Sequence, residues 1–341
     1  MKEFLLRYSY PISIVIIGLL WLQVLNAMLQ LGVQQLIFPD SQDYLLAAKD
    51  LFLNHDVNAY RALLMTVITG FPYLFGSADA GIFHWSFIVN VCCWLGTALL
   101  IFDMARYFLQ KKYAFLTAIS SFFIIGNVVM NYHLLTESIY VFWIMTGFFC
   151  LFRYYKTNRF CWLSVTLSFF LLSMLIKPGS KFLAVVFVLY FARAIIKNYK
   201  QSSAFLMYFS LLLIAIQLVG MRAKFGDYKI SYIDGVTYYG YLFARADAYK
   251  NNADYIAVKT NRGDFIFKQT PANQKKITFE DLKNQLQCNT VNVFKAYVSN
   301  VIDNTKTGSD AILKLKINLE NQILKIANAS FFRYPNGKTV Y

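Results

Sequence analysis

Residues 12–220 carry one apolar run after another, most of them close to the roughly 20 residues that an α-helix needs to cross a bilayer. Beyond Gly220 no such run recurs, and the chain turns polar and rich in Asn and Lys. That shift sets one domain boundary: a transmembrane domain over residues 1–220, then a polar, mainly helical tail over residues 221–341. With 57% hydrophobic and only 15% charged residues, the chain is too apolar for an ordinary soluble domain. The expected fold is an all-α polytopic membrane protein.

Seven spanning helices are expected, over residues 12–33, 81–103, 113–130, 134–152, 160–176, 182–196 and 203–220. The first run is too long for a signal-peptide core and lacks a small-residue cleavage site, so it reads as an uncleaved helix. An eighth apolar stretch, residues 62–76, is short and holds Gly70 and Pro72. It follows an amphipathic segment over residues 44–53. Basic residues accumulate in cytoplasmic loops, which decides whether that stretch crosses. If it does not, eleven Lys and Arg fall on the cytoplasmic side and only Lys49, Arg61, Lys177 and Lys181 on the outer side. If it does, the ratio inverts. Residues 62–76 are therefore expected to lie as a helix at the outer interface. The N-terminus is then cytoplasmic, while Asp40, Asp43, Glu137, Lys177 and the tail share the extracytoplasmic face of an inner or plasma membrane.

A net charge of +15 in such a chain points to cytoplasmic anchoring and anionic lipid, and no nucleic-acid module accompanies it. Five cysteines, four of them in apolar runs, indicate neither a disulfide framework nor a zinc site. The three histidines, His55, His84 and His133, have no ligand spacing, so no metal site is read from them. In the tail, Thr278 and Asp281 suggest a helix cap. Phe294, Tyr297, Val298 and Val301 share one helical face, as do Ile312, Leu315, Leu319, Ile323 and Ile326. The tyrosines at 228, 232, 238, 239 and 241 suit interfacial anchoring, or stacking on a sugar.

The most informative stretch is Phe38-Pro39-Asp40-Ser41-Gln42-Asp43-Tyr44, directly outside the first span. Proline halts a helix, an acid follows at the membrane surface, and an amphipathic helix then begins. Asp40 or Ser41 could simply cap that helix. Glu137 stands at the mouth of an apolar helix, where an unpaired carboxylate is costly and a functional or paired role is expected. Lys177 and Lys181 could snorkel to headgroups, and Arg61 could bind phosphate or a headgroup.

Three segments together resemble a known family. Pro39-Asp40-Ser41 with Tyr44 and Ala48, then Arg61-Ala62-Leu63-Leu64 and a short helix ending Leu74-Phe75-Gly76, is similar to the first outer loop of GT-C glycosyltransferases. These are the enzymes that use polyprenyl-phosphate sugars, such as the aminoarabinose and protein-mannosyl transferases. Leu134-Leu135-Thr136-Glu137-Ser138 resembles the acid-bearing start of that family's fourth helix, and Ile176-Lys177-Pro178-Gly179 the basic turn that opens its sixth. The resemblance covers residues 38–196. It implies that Asp40, with Asp43 as alternate, is the general base that takes the proton of an acceptor hydroxyl. Lys177, with Lys181 and Arg61, would meet the donor phosphate. Glu137 would position the acceptor or hold a divalent cation, the one cofactor these residues suggest. The partners implied are a polyprenyl-phosphate-linked sugar, a glycan, lipid or protein acceptor and the bilayer, in cell-envelope glycan or glycolipid assembly. The chain departs from the family after the seventh span, where further spanning helices give way to the polar tail. Two other classes compete. A polysaccharide polymerase or ligase would act on a diphosphate-linked glycan and favour outer-loop arginines, which are scarce here. A non-enzymatic transporter or scaffold would string polar residues through its spans, where only Asn90 and Asn127 stand out.

Overall fold

The computed structural model describes residues 2–29, 31–33 and 39–307, and every regular element among them is helical. The chain forms two compact units, residues 1–56 with 62–216, and residues 57–61 with 217–341. The stripe Ile312 to Ile326 lies outside the described residues.

The first unit runs α1 (Lys2–Leu29), α2 (Pro39–Phe52), α3 (Leu63–Gly70), a 3-10 turn (Phe71–Phe75), α4 (Asp79–Ala105), α5 (Lys111–Ser120), α6 (Ile125–Met130), α7 (Glu137–Thr157), α8 (Phe160–Ser173), a 3-10 turn (Pro178–Ser180), α9 (Lys181–Tyr190) and α10 (Ala192–Asn198). Helix α11 (Phe205–Phe225) then carries the chain from this unit into the next. Helix α7 packs on α4 and α8, and α1 lies against α4 and α5. Phe102, Phe122, Leu163, Leu167 and Phe170 are fully buried. On the outside the side chains are also apolar: Leu20, Met28 and Leu189 are each more than 60% exposed. Helices that are apolar both inside and outside are matched to lipid rather than to water.

Three helices are long and apolar enough to cross a membrane: Tyr8–Leu29, Asp79–Ala105 and Ser202–Phe225. A fourth span results if α9 and α10, bent by 63° at Phe191, are taken together. Of the other expected spans, α7 is unbroken and 21 residues long but is not among the helices apolar enough to count, one is shorter and one is broken. Helix α8 has 14 residues, about 21 Å against a hydrocarbon core of about 30 Å. The expected helix over residues 113–130 breaks into α5 and α6 at residues 121–124. The break has a local cause. Thr117, Ser120 and Ser121 each turn a hydroxyl back onto a carbonyl three or four residues earlier, a contact that bends helices. Trp21 Nε1 then donates to the Phe122 carbonyl at 2.8 Å.

The second unit contains α12 (Ile233–Thr237), a single π turn (Tyr238–Leu242), α13 (Phe243–Asn251), α14 (Tyr255–Phe267), α15 (Pro271–Cys288) and α16 (Thr290–Thr307). Residues 57–61 belong to it because their backbone is hydrogen-bonded there. Tyr232 N donates to Ala59 O at 2.9 Å, Ser231 Oγ to Tyr60 O at 2.7 Å and Lys224 Nζ to Val57 O at 2.9 Å. Gly220 permits this, since a Cβ there would stand 2.9 Å from Val57 Cγ2. The expected cap at Thr278 and Asp281 is corrected: α15 begins eight residues earlier, where Thr270 caps Asn273 N and Pro271 takes the first helical position. Asp281 is instead drawn to Arg262, which joins four elements. Its Nε donates to Tyr239 O at 2.8 Å, its two terminal nitrogens bind Asp247 and Asp281, and its guanidinium stacks 3.8 Å from the Tyr239 ring centroid. Gln285 Nε2 completes the set with a 2.6 Å bond to Asp247. Burial raises the Asp281 carboxyl above its ordinary value and Arg262 pulls it back. Asp227 lies below the ordinary carboxylate value, held there chiefly by Lys275. The interfacial tyrosines divide: Tyr228, Tyr238 and Tyr241 are exposed, while Tyr232 is buried and Tyr239 is taken up by Arg262.

Candidate functional site

Helix α2 starts at Pro39, a residue pre-set for a first helical position. Asp40 and Ser41 therefore lie inside the first turn, where an acid suits the helix dipole, and not at the cap. Asp40 and Asp43 are exposed, whereas Ser41, Tyr44, Ala47 and Ala48 turn inward. The buried face meets α3, and Gly70 allows the close approach, since a Cβ there would fall 2.4 Å from the Phe52 ring.

One apolar core lies beneath this helix. It joins Tyr44 and Ala48 of α2 to Met65, Tyr73, Ile82, Leu134, Leu135, Ile139 and Ile176. Tyr44 is one helical turn from Asp40, Ile139 is two residues from Glu137, and Ile176 adjoins Lys177. A backbone bond of 3.0 Å from Met65 N to Leu175 O ties α3 to the same turn. The supports of the three segments singled out in the sequence thus belong to a single packing unit.

Glu137, the first residue of α7, receives Lys177 Nζ on Oε1 at 3.4 Å, and that ammonium also lies 5.6 Å from the Tyr140 ring centroid. Both side chains are nearly half exposed, 48% for Lys177 and 44% for Glu137. Glu137 Oε2 is shielded and accepts no hydrogen bond among the described residues. The lysine turn is rigid. Ser180 Oγ donates to Lys177 O at 2.7 Å, Ser173 Oγ lies 3.0 Å from Ser180 Oγ, and Lys177 is extended ahead of Pro178.

Lys181 opens α9 with its ammonium 5.4 Å from the Phe182 ring centroid. Arg61 belongs to the second unit, is only 8% exposed, and its N–H donates to Asn58 Oδ1 at 3.0 Å. Among the described residues no group of three His, Cys, Asp or Glu is arranged to hold a metal ion.

Two polar networks go beyond what the sequence indicates, although Asn90 itself stands out there. Lys49 near the end of α2 pairs with Asp79 at the start of α4 at 2.6 Å, and Tyr73 OH donates to the same carboxylate at 2.9 Å. Asn90, fully buried in α4, donates to His133 O at 2.9 Å, while Ser138 Oγ donates to Asn131 Oδ1 at 2.7 Å. These bonds fix the irregular segment leading into Glu137, whose exposed carbonyls would otherwise go unsatisfied in an apolar interior. The signal for Asn90 was its position mid-span, where a polar side chain needs a partner. Lys49 and Asp79 are 30 residues apart and gave none. Comparison of the chain with protein-family models, with curated proteins and with solved structures finds no match for any part of it.

Proposed function

We propose that this membrane protein is an inverting GT-C-type glycosyltransferase that moves a sugar from a polyprenyl-phosphate carrier to an acceptor hydroxyl at the extracytoplasmic face. The observation that carries the reading is the Glu137–Lys177 pair, seated on the same core as Tyr44 and Ala48 of α2. In the proposed step the acceptor oxygen attacks the anomeric carbon and its proton passes to Asp40, or to Asp43 one turn on. The bond from that carbon to the phosphate oxygen breaks, and the electron pair leaves on the polyprenyl phosphate. Lys177 stabilises that growing negative charge as a fixed, preorganised cation. Glu137 Oε1 orients the ammonium, and a turn of the side chain would bring the shielded Oε2 to an acceptor hydroxyl or a divalent cation. The bilayer disposition that goes with this has seven crossings, α5–α6 and α9–α10 each counting as one, with the α2 loop, the Lys177 turn and the second unit outside.

The test is sugar transfer in membranes supplied with a polyprenyl-phosphate sugar. Lys177→Gln is expected to lower kcat by about a hundredfold, the cost of one preorganised charge contact, at unchanged expression. Glu137→Gln is expected to raise KM for the acceptor and to lower kcat less. Full activity in Lys177→Gln would remove the lysine from the leaving-group role. Turnover of a diphosphate-linked glycan alone would favour the polymerase or ligase, and turnover of neither donor would leave the non-catalytic class.

A further inference from the structure

Helix α16 is built inside out for a helix on a water-soluble unit. Its packed side is small and polar. Ala296 is fully buried, Ser299 Oγ bonds Tyr249 OH at 2.8 Å, and Asp303 pairs with Arg245 at 2.6 Å on α13. Its open side is apolar: Val291 is 81% exposed, Phe294 70%, Tyr297 58%, and Val298 and Val301 are exposed as well. At about 100° per residue these five fill roughly 120° of arc. No charged residue of the helix falls within that arc, and Lys295 stands just beyond its edge, its ammonium 4.4 Å from the Tyr249 ring centroid. The inward hydrogen bond and ion pair set the helix's rotation, so it cannot roll to hide the apolar face without breaking them.

We infer that this face of α16 docks in the interfacial layer of the lipid bilayer. Chain connectivity supplies the bilayer. The unit that carries α16 begins at residue 217, inside a span-length helix that runs Ser202–Phe225, so the unit is tethered beside a membrane. An amphipathic helix with a Phe and a Tyr on its apolar face and a lysine at the margin matches the chemistry of that layer. Docking there would anchor the second unit at a second point, independent of any catalytic role.

The test uses the full chain reconstituted in vesicles of mixed zwitterionic and anionic phospholipid. A photoreactive phenylalanine analogue is placed at Phe294 or Val298, with Asn284 on the exposed side of α15 as control. Lipid adducts at 294 and 298 several-fold above those at 284 are the expected result. Adducts to a second copy, rising with protein-to-lipid ratio, would overturn the inference in favour of a dimer face. Adducts to residues 308–341 of the same chain would overturn it in favour of an internal cover. Yields equal to the control, with an aqueous quencher reaching all three sites, would show that the face meets water.

Discussion

Asp40→Asn is expected to leave expression and membrane insertion intact while lowering sugar transfer at least about a hundredfold, the low end of what a positioned general base contributes. The substitution preserves size and the exposed position in the first turn of α2, whose packing rests on Tyr44, Ala47 and Ala48. Its effect should therefore fall on kcat, with donor binding at Lys177 unaltered. Asp43→Asn, on the neighbouring turn, should cost much less. The reverse ranking would assign the proton to Asp43, and two fully active variants would take the base out of this helix altogether.

Arg262→Ala should give the largest loss of stability in the second unit, about 3 kcal/mol, because it strips the counter-ion from two carboxylates that are largely shielded. The side chains of Arg262, Asp247 and Asp281 are 14%, 22% and 17% exposed. The loss should appear as faster amide exchange in α13, α14 and α15, which the arginine joins. Its pH dependence has a definite sign. Burial and Asp247 both push the Asp281 carboxyl upward, and Arg262 opposes them. With the guanidinium gone, the folded state binds a proton on Asp281 more tightly than the unfolded chain does. The deficit should then shrink as pH falls through that raised value towards the ordinary carboxylate value. A deficit that grows with acidity would contradict the assignment. Arg262→Lys should recover only part of the stability, since an ammonium cannot span both carboxylates in the guanidinium's planar fork.

The apolar runs made the helical class and the membrane environment legible, because run length and polarity act through local chemistry. Helix integrity was less legible. The break between α5 and α6 depends on three hydroxyls folding back and on Trp21 reaching Phe122 from another helix. The pairing of Glu137 with Lys177 was anticipated only as a grouping of segments on one side, and the contact itself required 40 residues of chain to close. Arg61 went the other way: its neighbourhood in sequence suggested the first outer loop, yet backbone hydrogen bonds draw residues 57–61 into the second unit. Thr278 and Asp281 matched a capping pattern that Thr270-Pro271 satisfies earlier, freeing Asp281 for Arg262. For the Glu137–Lys177 pair, Arg61 and Asp281, a local pattern was outweighed by a partner distant in the chain.

The most direct measurement concerns which side of the bilayer the two halves of the proposed site occupy. Asp40→Cys and Lys177→Cys would be introduced singly into a chain whose five native cysteines have been replaced, then treated on intact cells with a membrane-impermeant thiol reagent. Both positions should be labelled from outside without permeabilisation. Labelling of one from outside and the other only after the membrane is opened would separate base from phosphate-binding cation and contradict a shared active site.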